Sequence, residues 1–203
     1  MNDCALIFIG GSGHALIRKY NGNLDHILIY DGLCTITEDD KFDNYFLKDN
    51  YTHLDGDYKF YLKIYENNCD ILKLIISKYK KIVIICGLGG INGTAGLIYL
   101  SNLAKEMNIS CDAIVSLPFS FEGKKRMKDA KEALSMAKLD RCYIIFSDKI
   151  RTIIDPKTSM VDIWSKYIDN LFIKYIQVYE EKVLNGKELT NEDIKNICDS
   201  IKD

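Results

Sequence analysis

Short, mainly apolar runs alternate along the chain with longer segments of helical periodicity. The runs span residues 5–9, 26–30, 82–85, 112–116 and 142–146. They are continuous, which is typical of strands buried on both faces of a parallel sheet. Apolar residues recur at helical spacing over 62–79, 97–107 and 161–184. This order predicts an α/β fold, with a mostly parallel sheet of five or more strands and helices on both faces.

The longest periodic segment, 161–184, carries apolar residues over about half of its circumference at 100° per residue. A single packing partner requires a stripe of only about 100°. We therefore expect a long C-terminal helix that packs on two sides. Residues 35–59 are polar, acidic and aromatic without a clear period, and they indicate no function.

Composition narrows the class of protein. The 203 residues, 47% of them hydrophobic, suffice for one domain spanning 1–203. Acidic and basic residues are mixed and the net charge is −2, so we expect no nucleic-acid partner. No apolar run approaches about 18 residues, so we expect no membrane partner. Seven scattered cysteines without a Cys-x-x-Cys pair indicate reduced thiols in a cytoplasmic protein.

Two glycine-rich stretches carry the candidate chemistry. The first follows the run 5–9 and consists of Gly10, Gly11, Ser12, Gly13 and His14. The second, 86–96, joins the run 82–85 to the helical segment 97–107. Glycines let the backbone approach a ligand closely, and a helix start favours an anion such as phosphate. The two stretches predict a nucleotide site, in which His14 is either a phosphate donor or a helix cap.

The spacing of the second stretch excludes the two commonest phosphate loops. A Walker loop ends in Gly-Lys-Ser/Thr, but Gly93 is followed directly by Thr94. A dinucleotide loop needs a glycine three residues after its second glycine, and Asn92 stands there after Gly89. An NAD-type Rossmann site remains an alternative, because Asp31 follows the first stretch at about the distance of a ribose-binding acid. A glycine turn that binds nothing also remains open.

Three segments resemble one protein family. Residues 89–95 resemble the FtsZ and tubulin signature Gly-Gly-Gly-Thr-Gly-Thr/Ser-Gly, and begin Gly89, Gly90, Ile91, Asn92, Gly93, Thr94. Residues 118–126 resemble the FtsZ segment Pro-Phe-x-Phe-Glu-Gly-(Lys/Arg)-x-Arg, and 191–196 resemble its catalytic loop Asn-x-Asp-Phe-x-Asp. The resemblance covers nearly the whole chain and implies the nucleotide-binding domain of this family. The family's second domain is expected to be absent.

The resemblance implies a role in nucleotide binding for individual residues. In the family, the equivalents of 10–14 and 89–94 contact the phosphates of GTP or GDP. Mg²⁺ is expected with these phosphates, although no protein ligand for the metal can be named. The resemblance further assigns Glu122 to the ribose, Arg126 to the nucleotide and Asp169 to the guanine base. The alternative interpretation from the residues alone is that Glu122 begins a solvated helix.

Two positions depart from the family pattern. Ser147 stands where the family has an asparagine on the guanine edge, and a hydroxyl offers a single donor. Asn196 replaces the last aspartate of the catalytic loop, and an amide cannot act as a general base. The remaining catalytic candidates are Asn191 and Asp193, so we expect slow hydrolysis. The same residues also fit a short capped terminal helix.

Two functions from different classes follow. The first is an FtsZ/tubulin-like, guanine-nucleotide-binding cytoskeletal protein with weak or assembly-dependent GTP hydrolysis. The second is a degenerate FtsZ-like interaction module that needs no nucleotide. In either case we expect self-association, or binding to a full-length FtsZ-like relative, through the broad apolar face of 161–184. Cell division and DNA segregation are equally compatible with the sequence.

Overall fold

The computed structural model describes residues 3–31, 42–47 and 57–199. Its strands are β1 (Cys4–Ile9), β2 (Asp25–Tyr30), β3 (Asp43–Phe46), β4 (Lys81–Gly87), β5 (Ser110–Leu117) and β6 (Arg141–Phe146). Its helices are α1 (Gly10–Ile17), α2 (Tyr58–Asn67), α3 (Cys69–Ile76), α4 (Ile91–Glu106), α5 (Lys124–Met136), α6 (Ser147–Arg151), α7 (160–183) and α8 (Asn191–Asp199).

The six strands form one sheet in the order β3-β2-β1-β4-β5-β6, and every adjacent pair is parallel. Successive side chains of a strand point to opposite faces. On β1, Ile7 therefore packs with α2 to α5, whereas Leu6 and Phe8 pack with α1 and α6 to α8. The structure confirms the predicted α/β fold with a parallel sheet covered on both faces.

Several element boundaries differ from the prediction. Helix α1 begins at Gly10 directly after β1, so the first glycine stretch is helical and not a loop. The predicted helix 62–79 is two helices, α2 and α3, because the chain turns at Asn68, whose amide donates to the Ile64 carbonyl at 2.8 Å. The short strand β3 lies within 35–59, a segment in which the sequence has no clear period. Within 35–59, the described residues are 42–47 and 57–59, and the others lie outside the described part of the chain.

Helix α7 comprises α-helical and π-helical segments joined without a break in helical dihedral angles. Its buried residues join the core on the α1 face of the sheet, and they include Ile168, Phe172, Ile176 and Tyr179. Helix α8 packs against α7 and places Ile197 in the same core. The helix thus contacts the sheet and α1 on one flank and α8 on another.

A buried hydrogen bond from Tyr179 fixes the C-terminal half of α7 to an ion pair within the sheet. Asp112 on β5 is fully buried, and its Oδ2 lies 2.7 Å from the Nζ of Lys81 on β4. The Tyr179 hydroxyl donates to the same oxygen at 2.5 Å. Burial, followed by this hydrogen bond, raises the pKa of Tyr179 well above its ordinary value. The tyrosine therefore stays protonated and tethers α7 as a neutral donor.

The described cysteines are all free thiols. Cys4, Cys86 and Cys111 are buried within strands. Burial raises the pKa of Cys4 to about 12. Cys34 lies outside the described residues. None of the described helices combines the length and apolar character that a membrane crossing requires.

Candidate functional site

The candidate site lies where β1 and β4 end, at the centre of the sheet. From β1 the strand order continues through β2 and β3 on one side, and from β4 through β5 and β6 on the other. Ligands of open α/β sheets bind in the crevice beyond such a switch point. Here the crevice is a cavity of about 460 Å³, within the range of small-molecule sites. The first turns of α1 and α4 both border it.

The cavity brings both glycine stretches together. Predicted residues in its lining are Gly10, Gly11, Ser12, Gly89, Gly90, Ile91, Asn92, Gly93 and Arg126. The lining also contains Ile9, Asp31, Tyr58, Tyr61, Gly87, Lys125 and Asp129. Predicted residues outside the lining are Gly13, His14, Thr94, Glu122, Asp169, Asn191 and Asp193.

Two glycines are required by the shape of the second stretch. A Cβ on Gly93 would lie too close to the carbonyl oxygen of Gly87, so α4 can approach the end of β4 only with glycine there. Gly89 has a φ of +81°, which L side chains rarely adopt, and a Cβ there would lie 2.8 Å from the carbonyl oxygen of Arg126. The loop therefore keeps its backbone close to both the strand end and α5.

Two polar side chains of the signature segment bond within the protein. The Thr94 hydroxyl accepts the backbone N–H of Gly89 at 3.0 Å. The Asn92 Oδ1 accepts the Tyr65 hydroxyl at 2.6 Å, and its Nδ2 donates to Asp31 at 3.0 Å. These side chains hold the loop in shape. A helix has no internal acceptors for the backbone N–H groups of its first turn. In α4 these N–H groups are therefore the donors suited to an anion.

The cationic side chains at the rim each have an acidic neighbour. Arg126 forms an ion pair with Glu122 one turn earlier, and Lys125 lies 2.9 Å from Asp129 one turn later. The other Glu122 oxygen accepts the Phe119 N–H at 2.8 Å. Glu122 thus caps the turn before α5 and orients Arg126, while Arg126 itself reaches the cavity wall.

The predicted base contacts lie away from the cavity. Asp169 on α7 is buried, and its carboxylate pairs at 2.7 Å with Lys19, which follows α1. Lys19 also donates to the Ser165 carbonyl at 2.7 Å. The Ser147 hydroxyl is buried and donates to the Leu117 carbonyl at 2.6 Å. These contacts fasten α7 to α1 and α6 to β5.

The predicted catalytic residues lie at the start of α8. Asn191 is exposed as the first residue of that helix. Asp193 pairs with Lys182 of α7 and accepts the backbone N–H of Thr190 at 2.9 Å. The bond to Lys182, followed by the bond to the Thr190 N–H, lowers the pKa of Asp193 to about 2. At neutral pH its carboxylate is therefore ionised and ties α8 to α7.

Sequence reasoning missed one wall of the cavity. Tyr58 and Tyr61 reach it from α2, and Lys125 and Asp129 reach it from α5. The signal for α2 was present in Asp57, a helix N-cap residue whose carboxylate accepts the Lys59 N–H at 3.0 Å. The predicted helix began at residue 62 and so left both tyrosines out.

The described residues contain no group of three or more His, Cys, Asp or Glu side chains placed to hold a metal ion. A cavity of this kind fits Mg²⁺ only together with a phosphate, since Mg²⁺ keeps several waters and takes few protein carboxylates. The carboxylates available in the lining are Asp31 and Asp129.

Known proteins with similar sequences are cell division proteins. No family model matches the chain. It is 34% identical to FtsZ of Buchnera aphidicola subsp. Baizongia pistaciae over 99 residues, which are 48% of this chain and 26% of that protein. It is 36% identical to FtsZ of Pseudomonas putida over 92 residues, 44% of this chain and 23% of the relative. These matches span about a quarter of each relative.

Solved structures share the fold over most of the chain. The empty FtsZ dimer of M. jannaschii superposes with a TM-score of 0.77 at 24% identity, covering 87% of this chain and 54% of that one. GDP-bound monomeric CetZ1 of Haloferax volcanii gives a TM-score of 0.69 at 17% identity, covering 97% and 63%. The chain spans little more than half of these structures. Together, sequence relatives and fold confirm the resemblance read from the motifs.

Proposed function

We propose that this chain, whose relatives and fold support the FtsZ/tubulin superfamily, binds a guanine nucleotide as a cytoskeletal-type protein of the cytoplasm. The observation that carries the proposal is the convergence of two glycine-bearing helix starts, of α1 and α4, on one cavity at the switch point of the sheet. A helix start offers free N–H groups and the positive end of the dipole to phosphates.

Different groups of the cavity would contact different parts of the nucleotide. The backbone at Gly10, Gly11 and the α4 start would hold the phosphates, because glycine has no side chain of its own to keep a phosphate away from the backbone. Arg126 would add a charge-assisted hydrogen bond. Mg²⁺, when bound with the nucleotide, would neutralise phosphate charge. The proposed selectivity for guanine rests on the family resemblance alone, because Asp169 pairs with Lys19 and Ser147 donates to the Leu117 carbonyl.

Hydrolysis in this proposal is weak and depends on assembly. Asn191 and Asp193 lie outside the lining of the cavity, so they would act on the nucleotide of a neighbouring copy. A carboxylate with a pKa of about 2 is a poor proton acceptor at neutral pH. Turnover should therefore be slow and should rise with protein concentration.

Self-association through α7 belongs to the same proposal. Solved structures with this fold include an FtsZ dimer and a TubZ protofilament. On α7, Trp164 and Tyr167 are half-buried and Val161 is exposed, whereas Phe172 is fully buried in the core. The contact surface is therefore the N-terminal part of α7 and not the whole apolar face expected from the sequence.

Isothermal titration of nucleotide-stripped protein tests the proposal. With Mg²⁺ present, we expect micromolar or tighter binding of GDP and of a slowly hydrolysed GTP analogue, and no comparable binding of ATP or NAD. Arg126→Ala should weaken binding about tenfold, the loss of one charged hydrogen bond. Arg151→Ala is the matched control, because Arg151 stacks on Phe121 and does not line the cavity. Absence of heat with every nucleotide would contradict the proposal and support a nucleotide-independent interaction module.

A further inference from the structure

The outer face of α5 carries a row of exposed lysines. Lys124, Lys128 and Lys131 follow one another at spacings of four and three residues, and all three are exposed. At 100° per residue they lie within about 60° of the helix circumference. At 1.5 Å per residue they span about 10 Å along the helix axis. These three residues form one line of positive charge, the basic stripe.

The acidic side chains of α5 have other partners. Asp129 pairs with Lys125 at 2.9 Å, and Glu132 lies 3.7 Å from Lys59 of α2. In the part of the chain that the structure describes, no ion pair or hydrogen bond reaches the amino groups of the basic stripe. The stripe therefore keeps three positive charges that the described fold does not neutralise.

The basic stripe is unfavourable for α5 itself. Lys124 lies in the first turn, where the helix dipole disfavours a cation, and that turn contains no acidic residue. Lys124 and Lys128 repel each other at a spacing of four residues, and Lys128 and Lys131 do so at a spacing of three. Natural proteins break such local rules mainly at functional sites. The charge of the stripe thus points to a function outside the fold.

The basic stripe borders a shallow surface groove of about 700 Å³. The groove is also lined by Met127, which is half-buried, and by Glu132, which is the partner of Lys59. A methionine side chain is apolar and adapts to the shape of its partner. The groove therefore combines amino groups for carboxylates with an apolar contact for aliphatic side chains, a combination that suits a peptide.

We propose that the groove along the basic stripe binds an acidic helical segment of a partner protein. A helix with acidic residues at spacings of four and three presents its carboxylates on one face over the same length of about 10 Å, so that each can meet one lysine. Nucleic acid and anionic membranes fit less well, because a molecule with a net charge of −2 repels large polyanions and the stripe offers them only three contacts. This interaction is independent of nucleotide binding.

The experiment measures the binding of a labelled peptide to the full chain. The probe is a fluorescein-labelled, alanine-based peptide of about 16 residues, long enough to form a helix, with glutamates at spacings of four and three. A peptide with glutamines at those positions is its control. Lys128→Gln/Lys131→Gln removes two charges of the stripe, and Lys73→Gln/Lys78→Gln removes two exposed charges on α3 and just after it. Anisotropy gives Kd at about 50 mM salt, where screening is weak, and thermal unfolding checks that each variant is folded.

We expect the wild type to bind the glutamate peptide and not the glutamine peptide. Lys128→Gln/Lys131→Gln should bind the glutamate peptide about fivefold more weakly or worse, since two exposed charge pairs are lost. Lys73→Gln/Lys78→Gln should bind it like the wild type. Equal affinities for the wild type and the folded stripe variant, or no binding by the wild type, would overturn the proposal.

Two further measurements separate this proposal from others. Cosedimentation with vesicles of phosphatidylcholine and phosphatidylglycerol tests the membrane alternative, and stripe-dependent binding to vesicles without peptide binding would overturn the proposal in its favour. Titration with GDP reports on the nucleotide cavity, whose described lining does not include the basic stripe. Loss of peptide binding would therefore leave the proposed nucleotide binding intact.

Discussion

Glycine has a different role at two positions of the cavity. Gly93 is enclosed, because a Cβ there would meet the carbonyl oxygen of Gly87 at the end of β4. Gly11 is open, and a Cβ there would meet nothing within 4 Å. The sequence presents both as members of glycine-rich stretches. Only their surroundings separate a glycine that packing requires from one that leaves room for a ligand.

Alanine at these two positions should therefore have opposite effects on stability. Gly93→Ala should lower the free energy of unfolding by about 1–3 kcal/mol, because the backbone of α4 must move away from β4. Gly11→Ala should raise it by about 0.5–1 kcal/mol, since alanine loses less backbone entropy in a helix. Urea denaturation of both variants measures the difference. Equal effects would contradict the packing described at Gly93.

Asp193 gives a residue-scale prediction of pH dependence. Its pKa in the folded protein, about 2, lies below the ordinary value of 3.8. A lowered folded-state pKa means that the carboxylate stabilises the fold above about pH 4 and loses this contribution as the pH falls toward 2. The melting temperature of Asp193→Asn should thus be below that of the wild type at pH 5, and the gap should close by about pH 2. A gap that persists at pH 2 would refute the assignment.

At the scale of elements, α7 is held to the sheet by the buried Tyr179–Asp112 hydrogen bond and by apolar packing. Lys81 and its neighbour Lys80 both form ion pairs, with Asp112 at 2.7 Å and Asp3 at 2.9 Å. The Asp112 side chain is fully buried, whereas the side chains of Lys80 and Asp3 are 81% and 73% exposed. The adjacent pairs differ mainly in their access to water.

Replacing each lysine by methionine should separate these environments. Lys81→Met leaves a buried carboxylate with Tyr179 as its remaining described partner, so we expect a loss of about 3 kcal/mol in the free energy of unfolding. Lys80→Met removes an exposed pair and should cost less than about 1 kcal/mol. Chemical denaturation provides both values. Similar losses for the two variants would contradict the larger cost expected for breaking the buried pair.

At the scale of the whole molecule, the exposed start of α7 predicts self-association. Val161 is 77% exposed and lies on the same helix as the half-buried Trp164 and Tyr167. Analytical ultracentrifugation should show a weight-average mass that rises with protein concentration. Val161→Glu should reduce this rise, because a charge would be buried at the contact. Asn170→Glu, also exposed on α7, is the control, and a monomer at every concentration, with and without nucleotide, would contradict the prediction.

The sequence by itself located five of the six described strands, all except β3. Buried parallel strands are apolar on both faces, and the predicted run 82–85 is buried within β4. The run 142–146 lies within β6, but the burial expected for it is wrong, because β6 is an edge strand whose Cys142 and Phe146 are exposed. The sequence also located the glycines that border the cavity, since a strand followed by glycine and a helix leaves few other placements. The break between α2 and α3 at Asn68 was not predictable, because the apolar residues on both sides of Asn68 keep helical spacing. Only the structure shows that the chain turns there and that the Asn68 amide donates to the Ile64 carbonyl.

Tertiary structure decided which side chains share the cavity. Asp31, Tyr61 and Asn92 come from three elements and meet only when the sheet brings β2, α2 and α4 together. Conversely, Asp169 occupies the expected place on α7 but pairs with Lys19, which follows α1. Chain spacing fixes the period and burial of each element through local geometry. The partner of a polar side chain depends on which distant group the fold brings within hydrogen-bonding distance, and that is a property of packing.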